Sequence, residues 1–129
     1  MASFDLKKAN EVLQEMVAQH QDVADKMTAE QVAGYLAANY PWMEGMAAFY
    51  GLDRDVVARA ACCYNFQWGA EYNQNQDPPR PVDAPIEPAV WKDPSDYKAR
   101  CVAFCDRLGA LHPFVGKGDS LTVRPEYAL

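Results

Sequence analysis

Four cysteines and two histidines are the side chains of this sequence best suited to bind a soft metal or to act as nucleophiles. Cys62 and Cys63 are adjacent, and neighbours on a helix project about 100° apart, which keeps both from serving one ion. Cys101 and Cys105 are four apart and share a helical face. With Cys63 and His112 they make one conceivable zinc set, yet structural zinc sites draw close ligand pairs from turns, with two to four residues between them. The sequence contains no Cys-x-x-Cys. Unpaired cysteine is among the most buried residue types and packs as a small hydrophobe. The expectation is four core thiols and no cofactor, with Cys63, Cys101, Cys105 and His112 as the sole metal-ligand candidates.

Nucleophilic catalysis needs a serine or cysteine beside a base that a third group orients. His20 and His112 are the only imidazoles, and neither stands in a Gly-x-Ser-x-Gly or papain-like signature. A glycine-rich phosphate loop is also missing. His20 falls in an apolar helical seam, where a histidine hydrogen-bonded at a helix interface is the simplest role. No catalytic residue is assigned, and a stand-alone enzyme is not expected. A small subunit of an enzyme complex, or a cysteine-based metal-binding protein, is the second alternative to the readings below.

Residues 46–61 carry a different kind of signal. Ala47, Gly51, Leu52 and Val57 have the spacing of a helix-turn-helix, with a small residue at the crossing, a glycine in the turn and apolar residues joining the two helices. In a DNA-binding reading over residues 43–62, Arg54 and Arg59 would face the nucleic acid. Asp53 and Asp55 would face it too, where binders place neutral or basic groups. Residues 1–90 hold 13 acidic and 6 basic side chains, whereas residues 91–129 hold 5 acidic and 6 basic. The acidity lies in the first part and disfavours phosphate backbones. It favours a basic partner, which Glu11, Glu15 and Asp22 on the solvated flank of the first helix would steer.

Around the same corner, Trp42, Met43, Met46, Phe49 and Tyr50 follow Tyr40 within eleven residues. That is more large side chains than a nine-residue helix buries on one side, and aromatics with methionine are enriched at interface centres. These five residues are the expected anchors of a protein partner. The function expected is a non-catalytic acidic interaction module, acting as adaptor, inhibitor or accessory subunit. By analogy of size and charge this extends to phage- or plasmid-type inhibitors of nucleic-acid-binding machinery. A helix-turn-helix regulator is the first alternative.

The elements that must position these residues are mostly helical. Leu6, Ala9, Leu13, Met16, His20, Val23 and Met27 form an a/d seam that predicts one helix over 4–27 and offers a route to a homodimer. Thr28-Ala-Glu-Gln31 reads as a capping box for a second helix, which Pro41 ends. Pro41 also opens a short third helix ending at Gly51, and Asp53 caps a fourth running to about Tyr72. Six of the nine prolines lie between Asn73 and Pro94, where helix is not expected; Val82, Ile86, Val90 and Trp91 are the predicted anchors of this connector. Asp93-Pro94 opens a last helix to about Leu111, and Phe114-Val115 with Leu121-Thr-Val123 suggests a small hairpin.

The chain thus reads as one mostly all-α domain of about five helices: an acidic helical part over 1–72, a proline-rich connector over 73–93, and a helix with an extended tail over 94–129. No apolar run approaches the roughly 20 residues that span a bilayer. The opening Met-Ala-Ser-Phe-Asp-Leu-Lys-Lys has no apolar h-region after a basic start, so a cytoplasmic location without membrane association is expected.

Overall fold

The computed structural model describes residues 4–128. Its elements in order are α1 (Leu6–Gln19), α2 (Gln21–Asp25), α3 (Ala29–Asn39), α4 (Trp42–Tyr50), α5 (Arg54–Gln74), α6 (Pro88–Trp91) and α7 (Pro94–Leu108), then strands β1 (Phe114–Val115) and β2 (Thr122–Val123) and a 3-10 turn at Pro125–Tyr127. The fold is all-α with a small C-terminal hairpin, as the sequence predicts. The helix count is higher than five, for two reasons given below.

Helix starts follow local chemistry closely. The Asp5 carboxylate accepts from the Lys8 N–H at 3.0 Å, and Asp53 accepts from Val56 at 3.0 Å. Asp93 accepts from both Ser95 and Asp96 at 3.1 Å, with Pro94 in the first turn. The Thr28–Gln31 capping box closes in both directions, at 2.9 and 3.1 Å. Each satisfies N–H groups that a helix start leaves without partners. α7 stops at Leu108, three residues before the predicted end, because Gly109 takes a left-handed cap at φ 71°.

The helix predicted over 4–27 is broken at His20 (φ −137°, ψ 49°). Its carbonyl turns out of the α1 ladder to accept from the N–H groups of Val23 and Ala24, which starts α2, and from Cys63 Sγ–H at 3.7 Å. Its ring meets Phe66 edge-on, with centroids 5.0 Å apart. Tertiary contact with α5 therefore overrides a continuous seam. That seam is also filled from within: Ala9, Leu13 and Met16 are buried where α1 packs on α5 and α7. Leu6, at the start of the seam, stays 44% exposed.

α5 is the central helix, packed against α1, α2, α3 and α4. A single cluster of buried side chains draws on Leu13, Leu36, Met46, Val57, Phe104 and Tyr127, spanning most of the sequence. Among the described residues no helix is long and apolar enough to cross a membrane.

The connector is held mainly by polar bonds to its backbone. Buried Asn73 donates from Nδ2 to the carbonyls of Val82 and Ala84 at 3.2 and 3.0 Å, and its own carbonyl accepts from Arg80 N–H at 2.9 Å. Arg80 in turn donates to Pro85 O at 2.7 Å. Val82 is 48% exposed and is no anchor, whereas Ile86 and Trp91 pack over Gly69 of α5. One helical turn, α6, does form here, because Pro88 sits at its first position, where no N–H is needed.

The C-terminal segment covers α4. β1 pairs antiparallel with β2, Phe114 opposite Val123, and the chain then carries Tyr127 into the core, where its hydroxyl donates to Leu111 O at 2.7 Å. Gly45 permits this approach: a Cβ there would lie 1.8 Å from the Tyr127 carbonyl oxygen.

Candidate functional site

The α4 corner does not present the predicted anchors. Trp42, Met43 and Met46 are at most 3% exposed, so they are core residues and cannot reach a partner. The physical reason is the tail: Trp42 packs against Phe114 and Tyr127, so α4 is buried on more than the one side its own length implies. Tyr50 is half-buried, stacked on Phe4 at 4.0 Å, and its hydroxyl accepts from Leu111 N–H. Phe49 alone stays open, at 50% exposure. Glu11, Glu15 and Asp22 are exposed, as the acidic flank requires.

The arginines of the DNA-binding reading are already engaged. Arg59 donates from Nη1 to the carbonyls of Ala24 and Met27 at 2.7 and 3.1 Å, and from Nε to Asp55 at 2.9 Å. It closes the C-terminal end of α2. Arg54 pairs with Glu44 at 3.5 Å on the surface. Arg59 is thereby held within the fold, whereas Arg54 keeps 52% of its side chain exposed beside this one surface pair.

The metal candidates also separate. Cys63 faces His20 O, Cys105 lies 4.0 Å from Met46 Sδ in the core, and His112 bonds Asp106 at 2.6 Å on the surface. Among the described residues no three His, Cys, Asp or Glu side chains converge on a common point. Burial pushes every thiol up, Cys62 and Cys101 to about 12, so at neutral pH they are neither thiolate nucleophiles nor ready ligands.

A site the sequence reading missed lies where the connector meets α3, α5 and α7. It is an open cleft of about 550 Å³, within the usual range for ligand pockets. Tyr35, Asn39 and Tyr40 from the end of α3 form one wall, and Trp91 and Lys92 at the end of α6 form another. Tyr97 and Arg100 of α7 complete the lining, with Leu121 of the hairpin at its edge. A tyrosine pair stiffens it: the Tyr40 and Tyr97 rings stack at 5.6 Å, 10° from parallel. Tyr40 donates to Asn65 Oδ1 at 2.5 Å, Asn65 Nδ2 donates to the Tyr35 hydroxyl, and Tyr97 donates to Asn39 O at 2.5 Å. Burial raises all three phenols, Tyr40 to about 12 despite the opposing pull of Arg100. They stay neutral and offer the cleft mostly ring surface.

Arg100 is the unusual member. It is 5% exposed, with its guanidinium carbon 4.4 Å from the Trp68 ring and 5.0 Å from the Trp91 ring. Nη2 donates to Trp91 O at 2.8 Å, while Nε and Nη1 have no hydrogen-bond partner. Among the described residues no carboxylate pairs with it. Aromatic faces offset part of this burial, worth about 0.5–2 kcal/mol per ring contact. A buried cation without a counter-charge is nonetheless costly to leave unmatched. The sequence held a signal for it: Arg100 flanks Tyr97 and Phe104 at the edge of the apolar stripe of α7.

Compared with protein-family models, curated proteins and solved structures, the chain matches none of them.

Proposed function

We propose that the chain is a non-catalytic interaction module for a protein partner, and that the partner is held in the cleft over Arg100 instead of at the α4 corner. The observation that carries this reading is the cleft itself: large, open, walled by rigid aromatic side chains and floored by a buried cation. Tyrosine, tryptophan and arginine are the residues that dominate interface energetics, and here they are preorganised by stacking and by hydrogen bonds. Beside it, burial keeps the Cys101 thiol and the Tyr40 phenol protonated at neutral pH.

The exposed acids Glu11, Glu15 and Asp22 and the net charge of −6 favour a partner that is basic overall, through long-range steering that salt screens within about 10 Å at ordinary ionic strength. All four cysteines are free and buried, which suits a reducing compartment such as the cytoplasm. The reading is tested with Ala38→Trp, which fills the cleft from an exposed position on α3 at its lip. The immobilised chain should retain a partner from extract of its own cells, lose it with Ala38→Trp, and keep it with Phe49→Ala. Retention by the Trp variant would overturn the cleft assignment.

A further inference from the structure

We infer that the cleft recognises a carboxylate carried next to a flat apolar group, with Arg100 as the residue that reads the charge. This rests on the cleft being the binding face. Among the described residues, the only charged side chains lining it are Lys92 and Arg100, both cationic, in a chain whose net charge is −6. The sign of the site is therefore opposite to the sign of the molecule.

The donor inventory narrows the ligand further. Arg100 has five N–H donors, and those on Nε and Nη1 lack acceptors. Both bidentate edges of a guanidinium include Nη2, so a carboxylate pairs with Arg100 through Nη2 together with Nε or Nη1, taking the place of the Trp91 carbonyl. The Tyr40 and Tyr97 hydroxyls already donate to Asn65 and Asn39, and the Tyr35 hydroxyl accepts from Asn65. A phosphate dianion, which wants more donors and more charge than one guanidinium and one exposed lysine give, is a poorer match. The half-buried rings of Tyr97 and Trp91 supply area for an apolar group attached to the acid.

The unmatched donors are also covered, each with almost no accessible surface. Binding then involves displacement of the Trp91 ring, which shares the guanidinium with Trp68 and borders a second groove toward Ile86 and Phe66. Trp91 sits on the four-residue α6 turn of the connector, which has no fully buried residue of its own. A ligand carboxylate would replace the Trp91 carbonyl and ring as the partner of Arg100.

Two sources can present this chemistry, a free aromatic acid and the chain end of a protein whose last residue is aromatic. Phenylacetate and N-acetyl-phenylalanine represent them, with phenylacetamide and N-acetyl-phenylalanine amide as uncharged controls. Calorimetric titration of the full chain should give a Kd on the order of 1 mM or tighter for at least one acid. The amides, and the acids on Arg100→Gln, should bind about tenfold or more weakly. Tighter binding of the acetylated amino acid points to a chain end, and tighter binding of phenylacetate to a small molecule. Arg100→Lys keeps the charge and loses the fork, so it should resemble the Gln variant. If the Arg100 variants do not fold, Ala38→Trp carries the same comparison from an exposed position. Equal binding of acids and amides, or binding indifferent to these substitutions, overturns the inference. If no acid binds while Ala38→Trp still releases the captured partner, the carboxylate assignment fails and the cleft reading stands. If an acid binds through Arg100 while the Trp variant keeps its partner, the reverse holds.

Discussion

Arg100 and Trp91 hold each other twice: Nη2 donates to the Trp91 carbonyl at 2.8 Å, and the guanidinium carbon lies 5.0 Å from the Trp91 ring. One side chain thereby clasps the connector to α7 and floors the cleft. Trp91→Ala should leave the core intact, since Trp91 is only half-buried, but free the segment around α6. Hydrogen exchange should accelerate over residues 86–92 and remain unchanged in α5; equal acceleration throughout would show that Trp91 belongs to the global core.

Trp42 offers the sharpest contrast with the sequence reading. Buried against Phe114 and Tyr127, its truncation to Ala should cost about 3–5 kcal/mol in denaturant unfolding. Phe49→Ala, at a half-exposed ring, should cost about 1 kcal/mol or less. Similar losses at the two positions would contradict the placement of α4 beneath the tail.

Gly45 and Gly34 should respond to alanine in opposite directions. At Gly45 the new methyl meets the Tyr127 backbone carbonyl, which cannot move without lifting the tail, so a loss of about 3 kcal/mol is expected. At Gly34, exposed in α3 with open space around it, alanine should gain about 0.5–1 kcal/mol through helix propensity. Thermal melts of the two variants beside the parent check both signs.

Stability should fall on the alkaline side. Burial raises Cys62 and Cys101 from 9.0, and Tyr40 from 10.0, each to about 12. Above about pH 9 the unfolded chain loses these protons while the folded chain keeps them. The stabilising contribution is thus complete below about pH 9 and declines as pH rises toward about 12. The melting temperature should be flat from about pH 7 to 8.5 and drop beyond it, and thiol reagents should react at the unfolding-limited rate at neutral pH. A flat profile to about pH 11 would contradict the burial of these groups.

Three helix starts were legible in the sequence because a cap is a local event: Thr28, Asp53 and Asp93 each bond N–H groups within three residues, whereas Asp5, which caps α1, falls inside the helix expected from residue 4. The break at His20 was not, since no glycine or proline marks it and its causes, Cys63 and Phe66, lie more than forty residues away. The same distance hid the true state of the α4 corner. Counting aromatics between Tyr40 and Tyr50 gave the excess correctly, but only the fold reveals that Phe114 and Tyr127 cover it. The cleft was invisible for a third reason. Its walls come from separate stretches of the chain, and the one local sign is an arginine at the edge of the apolar stripe of α7.

Arg100 is buried without a counter-charge, and a ligand carboxylate would supply one. Its side-chain Nε–H resonance in nitrogen-15 spectra reports on that bond directly. Titration of the labelled chain with N-acetyl-phenylalanine or phenylacetate should shift this resonance, slow its exchange with water and perturb the Trp91 indole, while the Trp42 indole stays in place. An unmoved Arg100 signal at saturating acid, or equal shifts with the amides, would contradict the account.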